Sequence, residues 1–119
     1  MPFPECEEMD GPLLCFILLN GGSEHRVSAG SSYEPLANFF KLTENERIQR
    51  RPDGHPGLHW HNRVQWTRQR LVNHGYLDGS HHGVWKLTPE GVEHALRELR
   101  LAGEYEVLRL RSEADMDPE

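Results

Sequence analysis

A helix followed at once by a β-hairpin constrains the fold of this chain more than any other feature. A stripe of side chains at helical spacing predicts an amphipathic helix over residues 61–74: Trp60, Val64, Thr67 and Leu71. Gly75 follows at the position where helices commonly end. Tyr76-Leu77 and Val84-Trp85-Lys86-Leu87 then flank a polar six-residue turn, residues 78–83. This pattern predicts two antiparallel strands with a projecting tip.

Three further helices are predicted before this unit. Residues 12–19 are apolar on nearly every face, which favours a helix buried at the centre of a small bundle. Ser31 or Ser32 can cap a second helix that ends near Leu42. Thr43 and Glu46 have the spacing of a capping box and predict a short helix to about Arg50. Residues 51–59 are rich in Pro and Gly and are expected to form a loop.

The order of these elements predicts one domain. Thr88-Pro89-Glu90 has the features of a helix start and predicts a last helix behind the hairpin, whereas residues 104–111 fit either continued helix or a strand. The predicted fold is mainly α with a small β-hairpin wing, that is, a winged helix-turn-helix over residues 12–103. We expect residues 1–11 to be an acidic, flexible N-terminus and residues 104–119 to be a C-terminal extension with an acidic tail.

Charge is distributed unevenly along the chain. The 119 residues have a formal net charge of −6, yet residues 47–86 carry seven basic and two acidic side chains and six of the eight histidines. Residues 1–46 carry two basic and eight acidic side chains, and residues 87–119 carry four and nine. Because local rather than total charge steers phosphate binding, the centre of the chain keeps nucleic acid open as a partner. The same charge pattern also fits a solvated basic helix that binds no partner, and on charge alone the two interpretations have equal weight.

The remaining composition favours a reduced, cytoplasmic setting. The longest apolar run, residues 13–19, is far shorter than the roughly 20 residues that cross a bilayer. Acidic residues precede it where a secretory signal would carry positive charge. Cys6 and Cys15 are too few for a framework of several disulfides. We therefore expect a cytoplasmic protein that does not associate with membranes.

The outward face of the helix over residues 61–74 has the chemistry of a base-reading surface. Opposite the apolar stripe it carries four amides and an indole: Asn62, Gln65, Trp66, Gln69 and Asn73. Arg63 and Arg70 flank this face on one side, and His61 and Arg68 flank it on the other. Amides can bond adenine with two hydrogen bonds, and arginine can bond guanine or neutralise phosphate. An ordinary solvated helix face is the simpler interpretation of the same pattern.

Metal binding and catalysis are not expected. His59, His61, His81 and His82 would meet only if the wing tip folded toward the helix, and no Cys or carboxylate has ligand spacing with them. The string of residues 59–62 lacks the two-stranded metal-binding element of an HNH nuclease. Pro52-Asp53 lacks the acidic-x-Lys sequence that follows in PD-type nucleases. We expect no cofactor and no enzymatic activity of this chain alone.

Two correctly spaced motifs identify a family resemblance. These are Asn62-Arg63-Val64-Gln65-Trp66 and Gly83-Val84-Trp85-Lys86-Leu87-Thr88, joined through Leu71 and Gly75-Tyr76-Leu77. Over roughly residues 12–100, the chain resembles the N-terminal domain of Mrr-type restriction endonucleases. The resemblance implies a winged helix that binds double-stranded DNA beside a nuclease supplied by a separate domain or partner chain. Similar winged helices in modification-dependent restriction enzymes read methylated bases, including N6-methyladenine.

The residues that would carry this function follow from the helix and the wing. We expect DNA contacts from His61, Asn62, Arg63, Gln65, Arg68, Gln69, Arg70, Ser80, His81 and His82. Candidates for a modified-base pocket are Trp60, Trp66, Asn62 and Gln65. Trp60 leans toward the core and Trp66 outward, so both indoles line one pocket only if the helix starts after Trp60. A winged-helix transcriptional regulator and a protein-interaction winged helix without DNA are the alternatives.

Overall fold

The computed structural model describes residues 3–109, and within that range the predicted winged helix-turn-helix is confirmed. The helices and strands, in chain order, are α1 (Cys6–Leu19), β1 (Val27–Ser28), α2 (Tyr33–Phe39), α3 (Glu44–Ile48), α4 (His59–Asn73), β2 (Leu77–Asp78), β3 (Val84–Leu87) and α5 (Pro89–Leu101). Short 3₁₀ turns cover Ala29–Ser32 and Gly103–Leu108. No helix in the described range is long and apolar enough to cross a membrane.

A three-stranded antiparallel sheet ties the wing to the helices. Its order is β1-β3-β2, with Val27 paired to Trp85 and Leu77 paired to Leu87. Trp85 and Leu87 point into the core and are 1% and 4% exposed, so the hairpin is anchored through its alternating apolar side chains. Strand β1 is not predicted from the sequence, because two residues are too short to show an alternating pattern.

Helix α1 lies at the centre of the bundle and begins earlier than predicted. It packs between α4 and α5, and the side chains from Leu13 to Ile17 have no exposed surface. The helix starts at Cys6, so most of the segment expected to be flexible is helical, and Met9 is fully buried. Glu5 and Glu8 form a capping box, and acidic groups in a first turn favour a helix N-terminus. The acidic residues therefore mark a helix start rather than a frayed end.

Two other boundaries differ from the prediction. Helix α2 ends at Phe39, before Lys41 adopts a positive φ of 58°. Residues 103–108 form a 3₁₀ turn, neither of the two expected elements, and bury Leu108 against the core.

The capping box of α3 is confirmed, since Glu46 N donates to Thr43 Oγ1 at 3.1 Å and Thr43 N donates to Glu46 at 2.8 Å. The acidic tail lies in residues 110–119, outside the described range.

One threonine fixes how α5 follows the wing. Gly75 ends α4 with a φ of +83°, which glycine adopts without strain. Thr88 Oγ1 donates to the carbonyl oxygen of Gly75 at 2.6 Å and accepts from the N–H of Gly91 at 3.0 Å. The same side chain thereby caps α5 and holds its first turn against the end of α4.

A methyl group at Gly91 should destabilise this junction. A Cβ on Gly91 would lie 2.0 Å from the carbonyl oxygen of Tyr76, whereas a Cβ on Gly103 would meet nothing within 4 Å. We expect Gly91→Ala to lower the free energy of unfolding by about 2 kcal/mol or more, because backbone must move to relieve the overlap. Gly103→Ala is the matched control and should change it by less than about 0.5 kcal/mol. Equal stability of the two variants in chemical denaturation would contradict this packing.

Candidate nucleic-acid interface

The predicted orientation of α4 is confirmed. Trp60, Val64, Thr67 and Leu71 are all at most 2% exposed, and they face the core. On the opposite side Trp66 is 59% exposed, and Asn73 is exposed beside it. Gln69 Nε2 donates to Asn73 Oδ1 at 3.1 Å, and the Asn62 side chain makes no hydrogen bond within residues 3–109. The outer face of α4, defined here as Asn62, Gln65, Trp66, Gln69 and Asn73, therefore carries three half-buried amides beside the exposed Trp66 and Asn73.

The structure removes Trp60 from the candidate pocket for a modified base. Helix α4 begins at His59, so the late start that would turn Trp60 outward does not occur. Its indole Nε1 donates to the carbonyl oxygen of Tyr33 at 2.9 Å, and its ring packs edge-on against Phe3 and Phe40. At 2% exposure this indole cannot contact a base in the present conformation. Trp66 is the remaining indole on the predicted surface.

The Arg63 and Arg70 side of α4 is closed by the start of α1. Arg70 makes two hydrogen bonds to Asp10, at 2.9 and 3.4 Å. These bonds and the Asp10 charge raise the pKa of Arg70 above its ordinary value. Arg63 donates to the carbonyl oxygen of Pro4 and lies over the Phe3 ring. Arg70 therefore ties α4 to α1, Arg63 ties it to the residues just before α1, and a carboxylate balances the charge of Arg70.

The Arg68 side of α4 lies beside the wing and remains open. Arg68 donates to the carbonyl oxygen of Gly79 at 3.4 Å and has no carboxylate partner in the described part of the chain. Asp78 fixes the base of the wing tip, because it accepts from Ser80 N and from Arg26, each at 2.9 Å. Hydrogen bonds from Ser80 and then from Arg26 hold the pKa of the Asp78 carboxyl well below its ordinary value. His81 and His82 are exposed beyond it.

A tyrosine from α2 completes the surface. Tyr33 stacks on His61 with ring centroids 3.8 Å apart, and its hydroxyl accepts a hydrogen bond from Gln65 Nε2 at 2.6 Å. Burial lowers the pKa of His61, which favours the neutral imidazole. Sequence reasoning missed Tyr33, because no spacing rule links a residue in α2 to one that follows 32 positions later in α4.

Ion pairing reduces the basic segment to a smaller patch. Arg47, Arg51 and Arg70 pair with Glu34, Asp53 and Asp10, respectively. Within residues 3–109, the basic side chains of the central segment that have no carboxylate partner are Arg50, Arg63, Arg68 and Lys86. No group of three or more His, Cys, Asp or Glu side chains in that range could hold a metal ion. The positive charge without a carboxylate partner therefore includes Arg68, which lies beside the wing, and Lys86, which lies on it.

Comparison with known proteins agrees with the resemblance found in the sequence. The family model of the Mrr N-terminal domain matches residues 9–97, which span α1 to most of α5. The chain belongs to the Mrr N-terminal domain family. The match includes α4 and the whole wing, so the surface described above is part of the family domain. No curated protein and no solved structure matched the chain. Membership suggests a module of a restriction system.

Tryptophan fluorescence tests the geometry of this surface without any ligand. The three tryptophans differ sharply, since Trp60 and Trp85 are at most 2% exposed and Trp66 is 59% exposed. We expect acrylamide to quench one emission component in the native protein, and Trp66→Phe to remove it. Unfolded protein is the control, in which every indole should become accessible. An accessible component that survives in Trp66→Phe would show that another indole faces solvent.

Proposed function

We propose that this chain is a double-stranded DNA-binding winged-helix module of a restriction system. The observation that carries the proposal is the outer face of α4, a row of half-buried to exposed amides and an exposed indole beside Arg68 and the wing. A helix of this kind, followed by a hairpin, inserts into the major groove in winged helix-turn-helix proteins. Family membership supports the restriction context. Cleavage would come from a nuclease in a separate domain or partner chain, in the cytoplasm.

Gln65 is the residue best prepared to read a base. The Tyr33 hydroxyl accepts one of the two N–H groups of the Gln65 amide at 2.6 Å. The second N–H and the carbonyl oxygen remain, and these are the donor and acceptor that bond N7 and N6 of adenine. Because Tyr33 already holds the amide in place, little rotamer entropy is lost on binding. Asn62 offers the same chemistry without restraint, whereas the Gln69 amide is already bonded to Asn73 and Arg68.

Phosphate contacts are assigned to Arg68 and the wing tip. Arg68 has only carbonyl partners, from Gln69 and Gly79, at 3.2 and 3.4 Å, so phosphate can displace them at small cost. The exposed side chains of Ser80, His81 and His82 extend the contact along the backbone. His61, Arg63 and Arg70 support α4 from its two sides, and Asp10 weakens the attraction of phosphate at Arg70.

Salt dependence separates these roles. We expect Arg68→Ala to weaken DNA binding and to reduce the slope of log K against log salt concentration by about one unit, as for loss of one phosphate contact. Arg70→Ala should change the slope less, because Asp10 already balances that charge. Arg97→Ala, which removes an exposed arginine from α5, is the matched control and should leave the slope unchanged. Equal slopes for Arg68→Ala and Arg97→Ala would argue against the proposed footprint.

Recognition of N6-methyladenine is the finer part of the proposal and rests on Trp66. Bidentate pairing through Gln65 uses a hydrogen on N6, so a methylated adenine is better placed opposite Trp66 and Asn62. These two residues are four positions apart and lie on the same face of α4. The exposed indole supplies the apolar surface that a methyl group prefers, and one methyl contact contributes about 1 kcal/mol in such a setting.

Competition between matched duplexes tests this readout. The parent should prefer a duplex containing N6-methyladenine over its unmethylated counterpart by about fivefold, in at least one sequence context. Trp66→Ala should abolish the preference and keep the affinity for unmethylated DNA, whereas Trp66→Phe should keep part of it. Equal binding of both duplexes by the folded parent in every context would leave a plain DNA-binding module.

A further inference from the structure

The outward face of α5 carries an apolar stripe with two unpartnered charges beside it. Leu96 is 42% exposed at the middle of the helix, Leu99 lies partly exposed beside it, and Val92 is partly exposed while it packs against the core. Glu93 and Arg100 are both exposed on this face and have no ion pair or hydrogen bond within residues 3–109. A shallow depression of about 320 Å³ lies beside Leu96. This set of residues is called the α5 face below.

The charges of the α5 face are arranged so that the face complements itself. Glu93 precedes Leu96 by three residues and Arg100 follows it by four, about one helical turn in each direction. Two such helices that run antiparallel and meet at Leu96 would bring Glu93 of each beside Arg100 of the other. Such a contact buries Leu96 against its own copy and forms two equivalent ion pairs.

We propose that the α5 face joins two copies of this chain through a two-fold axis near Leu96. A symmetric dimer requires one patch that matches itself, and the arrangement of Glu93, Leu96 and Arg100 meets that requirement. An unrelated partner would need no such symmetry. A single pair of helices buries less than the roughly 1,200 Å² typical of stable interfaces, so the dimer is weak by itself.

The position of this face keeps the dimer independent of the DNA-binding proposal. Helix α5 packs against α1, and α1 packs on its other side against α4. The outer face of α4 therefore stays open in the dimer, which would carry two such surfaces. The inference goes beyond the proposed function, because it predicts self-association of the protein without DNA.

Charge reversal tests the dimer in sedimentation equilibrium of the whole chain. The parent should change from monomer to dimer over about two decades of concentration up to the millimolar range. Glu93→Arg and Arg100→Glu should each weaken association by about tenfold, because two ion pairs become two repulsive contacts. The double variant Glu93→Arg/Arg100→Glu restores the pairs and should associate within about threefold of the parent.

Two controls accompany the charge reversals. Glu24→Arg reverses an exposed charge away from α5 and should associate like the parent. Thermal unfolding checks that each variant is folded. A parent that remains monomeric at every concentration, including one whose α5 face binds a different protein, overturns the proposal. Single variants that dimerise as well as the parent, or a double variant that stays as weak as the singles, overturn it as well.

Discussion

The complete burial of α1 is the constraint on which the rest of the structure depends. A helix that is apolar on nearly every side must be covered on every side, and α4 and α5 take the two largest shares. The apolar stripe of α4 is buried in the same core, which leaves the amides and Trp66 on the opposite side. The sheet then holds the wing next to the Arg68 side of α4. The surface proposed to read DNA is thus a consequence of how the core is filled.

Local ion pairing decides which part of an acidic chain can approach a phosphate backbone. The formal charge of −6 would oppose DNA binding if it were spread evenly. The start of α1 instead places Asp10 against Arg70, which balances the Arg70 charge on that side of α4. Arg68 and Lys86, without carboxylate partners in the described range, leave the wing side positive. Under the proposed function, charge limits where DNA can bind, and the outer face of α4 would supply the base contacts.

Local signals in the sequence predicted most of the architecture and part of the surface. The stripe that ends at Leu71, the capping box at Thr43 and the helix start at Thr88 are encoded within a few residues, and each was confirmed. The strand β1, the pairing of Arg70 with Asp10 and the contact of Tyr33 with Gln65 depend on residues far apart in the chain. No periodicity reports such contacts. The burial of Trp60 was indicated by the helical wheel, but only the observed start of α4 decides it.

Mapping the DNA contact surface by nuclear magnetic resonance tests the central claim most directly. A short duplex titrated into the isotope-labelled chain should shift the amide signals of α4 and of residues 79–83, together with the side-chain signals of Asn62, Gln65 and the Trp66 indole. Signals of the buried Trp60 indole and of α5 should move little, since both lie away from the proposed groove contact. Shifts concentrated on α5, or a folded chain whose spectrum does not respond to DNA at low salt, would contradict the account.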